Sequence, residues 1–144
     1  MFGLFKKRQT IATSPEEVSV MVSAVKKAIG AQLMLAGRDE QELLQTRFCL
    51  GYLMGVLDAI AQQRQIPQAE DLLVIGAAFA CLFPMHPLAF ADAIALANDP
   101  EFIEGQNIGG SDLYRMVTTA KSVSLGLYDY WRRQAKLDGT PDLR

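Results

Sequence analysis

Apolar residues recur at helical spacing along most of the chain. In the first such stretch, Ser14, Pro15 and Glu17 supply an N-cap, a first-turn proline and a capping-box glutamate. Apolar residues then follow three or four positions apart, and Gly37 is typical of a helix end. We therefore predict a helix that buries one stripe, formed by Val18, Met21, Val22, Val25, Ile29, Leu33 and Ala36.

A second, longer helix is predicted from Asp39, with Glu42 as its capping partner, to about Gln65. Its middle is apolar on nearly every side, which is typical of the central helix of a bundle. Small residues four positions apart predict a flat strip on which another helix packs closely. This strip consists of Gly51, Gly55 and Ala59.

Three further helices complete an all-α prediction, a compact bundle of about five helices. The third runs from Glu70 to about Phe83, and the fourth runs from Pro87 to about Ala97. Between them lies a rigid corner bracketed by Pro84 and Pro87, which we call the proline corner. The segment Glu104–Gly110 is predicted to be a glycine-rich loop. Ser111 then caps a last helix that packs through a seam of Leu113, Val117, Ala120, Ser124, Leu127 and Trp131.

The predicted organisation is a flexible basic tail (1–13), one helical domain (14–137) and a C-terminal tail (138–144). In the middle of the domain, six residues resemble one tetratricopeptide hairpin: Leu72, Ile75, Gly76, Phe79, Ala95 and Pro100. Leu88 and Asp92 depart from that pattern, and no second copy follows one period away. We therefore allow for a helical-hairpin unit and assign no family.

Two internal apolar runs, Phe48–Ala61 and Leu72–Met85, are too short for membrane spans. Each has 14 residues, whereas a span needs about 20, so both are predicted as buried helices. In residues 1–8 the apolar positions precede the basic ones, the reverse of a secretory signal, which favours the cytoplasm. This segment is a candidate for docking to a membrane or a partner through Phe2, Leu4, Phe5, Lys6, Lys7 and Arg8.

Composition narrows the class of protein. The 144 residues are 50% hydrophobic and 21% charged, enough apolar material for one folded domain and too much for a disordered chain. Two cysteines exclude a disulfide framework and a four-cysteine zinc site. The net charge of −2 disfavours general nucleic-acid binding.

The charge is distributed unevenly. From Gln65 to Tyr114 there are seven acids and no lysine or arginine, so this segment carries −7 and the remainder +5. The acids have three possible roles. They solvate helix faces, they attract a basic partner protein, or they mediate head-to-tail self-association as a homo-oligomer. Asp99, Glu101 and Glu104 are candidate partner-binding residues, and Tyr128 and Arg132, four positions apart, form a second candidate face.

No motif identifies a reaction. Cys49 and Cys81 lie in apolar helices, where burial makes a thiol inert, and the residues predict neither a metal site nor a cofactor. We therefore predict a non-catalytic protein-binding module that uses an acidic central surface. The alternatives are a small enzyme or ligand-binding protein using His86 with Asp58 or Asp92, and a peripheral membrane factor anchored by residues 1–8.

Overall fold

The computed structural model describes residues 14–119 and 125–139, and within these ranges the chain is helical with no strand. The all-α prediction is confirmed. Segments 1–13, 120–124 and 140–144, which include the predicted basic docking segment, lie outside the described residues. The helices are α1 (Pro15–Ala36), a 3-10 helix (Glu40–Leu44), α2 (Arg47–Gln63), α3 (Asp71–Leu82), α4 (Ala89–Ala95), α5 (Pro100–Thr118) and α6 (Gly126–Leu137).

Helix α1 has both predicted ends. The Ser14 hydroxyl accepts a hydrogen bond from the Glu17 backbone at 3.2 Å, and Gly37 closes the helix at a φ of 65°. The Glu17 carboxylate, predicted for a capping box, accepts two hydrogen bonds from Arg64, at 2.7 and 3.1 Å. The start of α1 is thereby joined to the end of α2.

The second predicted helix is interrupted, so its predicted start at Asp39 is wrong. Asp39 and Glu42 do form the expected capping box, but it caps the short 3-10 helix. The backbone is then extended at Thr46, whose hydroxyl accepts from the Cys49 backbone at 3.1 Å and begins α2. The N-cap at Thr46 therefore separates the 3-10 helix from α2, whereas the hydrophobic pattern alone predicts one continuous helix.

Helix α2 is the central element, as predicted. Every residue from Phe48 to Leu57 is buried, and α2 contacts α1, α3, α4 and α5. The hydrophobic core is therefore arranged around this helix, with α6 packed against α1 and α5.

The predicted glycine-rich loop is wrong, because Glu104–Gly110 is the middle of α5. A Cβ at Gly105 or Gly109 would overlap a backbone carbonyl oxygen of α2, and a Cβ at Gly51 or Gly55 would overlap one of α5. The two helices thus touch backbone to backbone through four glycines. The close approach predicted for α2 is present, and its partner is the segment expected to be a loop.

The last predicted helix is also wrong in its extent. Ser111 lies within α5, which ends at Thr118, and α6 begins at Gly126. Of the predicted seam, Leu113, Leu127 and Trp131 are buried, Val117 is 47% exposed, and Ala120 and Ser124 lie outside the described residues. The described residues of the predicted seam are therefore divided between two helices, α5 and α6.

Helices α3 and α4 pack together across the proline corner, as the hairpin prediction expected. The rings of Phe79 and Phe90 lie 5.4 Å apart, and the Phe90 ring occupies the space beside Gly76. The corner leaves Met85 and Leu88 strongly exposed.

Helix α1 is long and apolar enough to cross a membrane by length and composition, a candidate that the sequence analysis did not test. A third of its most apolar window is buried against the rest of the protein. A core helix of a soluble protein and a signal sequence share these properties.

Replacing Gly105 with alanine should destabilise the fold, because the added methyl group forces α2 and α5 apart. We expect a loss of about 1–3 kcal/mol in the free energy of unfolding, measured by urea denaturation. The matched control is Gly30→Ala in α1, where a Cβ meets nothing within 4 Å and a gain of about 0.5–1 kcal/mol is expected. Equal effects of the two substitutions would show that the glycine contact is unimportant.

Candidate functional site

A groove at the proline corner is the candidate functional site, and we call it the corner groove. Its volume is about 470 Å³, and it lies between the corner, the start of α4, the 3-10 helix and the start of α2. Six of its ten lining residues are apolar. The lining consists of Gln41, Leu44, Gln45, Leu50, Met85, His86, Pro87, Leu88, Ala89 and Asp92.

The corner groove exposes large apolar side chains on a rigid frame. Met85 is 82% exposed and Leu88 69% exposed, whereas Leu50 beneath them is buried in the core. Two prolines bracket the corner, and a proline fixes its own backbone and restricts the residue before it. These side chains are therefore exposed because the corner holds them out of the core.

Only one of the two predicted carboxylates accompanies His86. His86 and Asp92 are both exposed and line the corner groove. Asp58 lies on α2 in a different depression that it shares with Asp71. Burial, together with the Asp71 carboxylate, raises the pKa of Asp58, while a hydrogen bond from Gln62 at 3.1 Å opposes that shift.

The three predicted partner-binding acids occupy different environments. Asp99 caps α5 by accepting from the backbones of Glu101 and Phe102, and it forms an ion pair with Arg47 at 2.8 Å. Glu101 accepts a hydrogen bond from the Tyr130 hydroxyl at 3.2 Å, and Glu104 is exposed. Asp99 therefore has a structural role, which leaves Glu101 and Glu104 as the acids presented by the first turns of α5.

The other predicted face lies on α6. Tyr128 and Arg132 are half-buried, and the Arg132 guanidinium lies 5.9 Å from the centre of the Tyr128 ring. This distance is within the range of a cation–π contact. The neighbouring Trp131 is buried, and Arg38 covers its ring at 5.0 Å.

A buried polar network, which the sequence analysis missed, positions α6. Gln32, Tyr52 and Asp112 are almost fully buried. The Tyr52 hydroxyl donates to Asp112 at 2.7 Å and accepts from the Gln32 side-chain amide at 3.0 Å. Gln32 and Asp112 then accept hydrogen bonds from the first backbone N–H groups of α6, those of Gly126, Leu127 and Tyr128.

Helix α6 has no side-chain cap of its own, so side chains of α1 and α5 satisfy its first turn. Unsatisfied N–H groups at a buried helix end are costly, and acceptors from other helices remove that cost. The spacing of Gln32, Tyr52 and Asp112 in the sequence gives no signal of this arrangement, since α1, α2 and α5 bring them together. In the sequence, the one visible feature of these three residues is that each is a polar side chain within an apolar stretch.

The two thiols of the chain lie in different environments. Burial raises the pKa of Cys49 to about 11 against a weaker opposing hydrogen bond from Thr46, so its thiol stays protonated and unreactive. Cys81 is exposed, contrary to prediction, because it lies on the outer face of α3. Among residues 14–119 and 125–139, no group of three histidine, cysteine or acidic side chains is placed to hold a metal ion.

Comparison with models of known families, with curated proteins and with solved structures gave no match.

Replacing Tyr52 with phenylalanine should destabilise the fold, because it removes one partner each from Gln32 and Asp112 while both stay buried. We expect a loss of about 1–3 kcal/mol in the free energy of unfolding, measured by urea denaturation. Tyr114→Phe is the control, since Tyr114 is 66% exposed, and a change within about 0.5 kcal/mol is expected there. A Tyr52→Phe protein as stable as the control would contradict the role of the network.

The two thiols should differ sharply in reactivity near neutral pH. An aromatic disulfide reagent should modify one thiol per folded chain at once, and Cys81→Ser should abolish that reaction. Cys49 is fully buried and its raised pKa leaves almost no thiolate, so it should react only when urea unfolds the chain. Rapid labelling of folded Cys81→Ser protein would refute the burial of Cys49.

Proposed function

We propose that the protein is a non-catalytic protein-binding module whose corner groove takes an apolar side chain from a basic helical segment of a partner. The supporting observation is the joint exposure of Met85 and Leu88, at 82% and 69%, on the walls of a mostly apolar groove. Large apolar side chains grouped in a concave surface are typical of interaction sites.

The charge around the corner groove favours a basic partner over an acidic one. The segment from Gln65 to Tyr114 contains no lysine or arginine. Among the described residues that line the groove, Asp92 is the acidic one and none is a lysine or an arginine. Acidic groups around an apolar site accelerate the approach of a positively charged segment and repel an acidic one.

A helical segment suits a groove of this size. A helix that docks through one apolar face presents side chains three and four positions apart, and its outer face remains free for cations. The apolar anchor fills the groove between Leu44 and Leu88, while cations on the flanking turns face Asp92. The predicted homo-oligomer and the membrane alternative at residues 1–8 stay predictions.

Two synthetic helical peptides test this proposal. Both carry leucine at helical spacing, and the remaining positions are lysine in one and glutamate in the other. We expect the lysine peptide to bind the full chain in fluorescence anisotropy, more weakly as salt is raised, and the glutamate peptide not to bind. Leu88→Asp should weaken binding at least about tenfold. A leucine that becomes buried on binding contributes about 1.5–3 kcal/mol, and a tenfold change in affinity corresponds to about 1.4 kcal/mol.

The matched control is Leu137→Asp, which places the same charge at an exposed leucine in the last turn of α6. It should leave the affinity for the lysine peptide unchanged. Equal binding of the two peptides would contradict the proposed preference for a basic segment. Equal weakening by Leu88→Asp and Leu137→Asp would remove the corner groove as the site.

A further inference from the structure

A second cleft, of about 650 Å³, lies between α5 and α6 and has a different character from the corner groove. Among the described residues, its ionisable lining consists of four cationic and two acidic side chains, which leaves an excess of two positive charges. These are Arg115, Arg132, Arg133, Lys136, Asp112 and Asp129. We call it the arginine cleft.

One of the two acids is already satisfied from inside the protein. Asp112 is buried, and its oxygens accept hydrogen bonds from Arg115 at 2.8 Å, Gly126 at 3.0 Å and Tyr52 at 2.7 Å. The first N–H groups of α6 are likewise bound by Asp112 and Gln32. Any anion in the arginine cleft is therefore held by cationic side chains rather than by the end of the helix.

Two of the cations face solvent without a charged partner. Arg133 and Lys136 are exposed, and neither forms an ion pair within the part of the chain that the structure describes. Arg115 donates to Asp112 with one nitrogen, while 63% of its side chain remains exposed. Among the described lining residues, Asp129 is the exposed carboxylate that offsets these cations.

We propose that the arginine cleft binds a phosphate-bearing ligand through Arg115, Arg133 and Lys136. Guanidinium groups donate paired hydrogen bonds that match the geometry of phosphate oxygens, and a lysine adds a point charge. The volume of the cleft is that of a small-molecule site, and the cation excess of its described lining suits an anion with more than one negative charge. The ligand is a soluble diphosphate or the phosphate headgroup of a lipid.

Titration of the full chain with inorganic pyrophosphate in a calorimeter tests this at low ionic strength. We expect saturable binding of one pyrophosphate per chain, and at least about tenfold weaker binding in Arg133→Gln/Lys136→Gln, because a hydrogen bond to a charged group contributes about one such step or more. The control is Lys26→Gln/Lys27→Gln, which removes the same charge from an exposed part of α1 and should leave the affinity unchanged. Circular dichroism checks that both variants fold.

Sedimentation with phosphatidylcholine vesicles, with and without phosphatidic acid, separates the two sources of phosphate. Binding to pyrophosphate without binding to phosphatidic acid vesicles assigns the cleft to a soluble ligand, and binding to both that is lost in the Arg133 and Lys136 variant assigns it to the phosphate group whichever molecule carries it. Binding to phosphatidic acid vesicles alone, lost in the Arg133 and Lys136 variant, assigns it to a lipid headgroup. The proposal is overturned if neither probe binds, or if the α1 control weakens binding as much as the cleft variant does.

Discussion

Helices α2 and α5 touch backbone to backbone, and the packing of α6 depends on that contact. Gly51 and Gly55 of α2 lie against the backbone of α5, and Gly105 and Gly109 of α5 lie against the backbone of α2. The absence of four side chains brings Tyr52 close enough to Asp112 for a 2.7 Å hydrogen bond. That pair, with Gln32, satisfies the first turn of α6, so the packing of the last helix follows from glycines on two earlier ones.

The same arrangement separates the charged surfaces. The acidic segment forms α3, α4 and the first part of α5, where the proline corner exposes apolar side chains beside Asp92. The cations of α6 instead converge with Arg115 from the end of α5. A chain of net charge −2 therefore presents a mostly apolar groove that contains Asp92 and, separately, a cleft lined mainly by cations among its described ionisable residues. The two surfaces are those for which we propose different ligands, a basic helical segment and a phosphate group.

The sequence predicted a helix correctly where a capping residue and an apolar stripe on one face indicated the same element. Helix α1 has the expected start at Ser14 and the expected end at Gly37. The prediction failed for Glu104–Gly110 because glycine in a sequence more often marks a loop, and here it marks a helix in contact with another backbone. The spacing of Gly105 and Gly109 repeats that of Gly51 and Gly55, a signal that identifies the contact only when both pairs are considered together.

By itself, the sequence determined that the protein is all-α, that α2 is buried on nearly every side, and that the acids are concentrated in its middle. These properties depend on neighbours a few positions apart, whose periodicity and capping are local. The tertiary structure decided which glycines meet, that Asp99 pairs with Arg47, and that Gln32, Tyr52 and Asp112 form one network. Each of these joins residues at least 20 positions apart, and only the packing of whole helices brings such residues together.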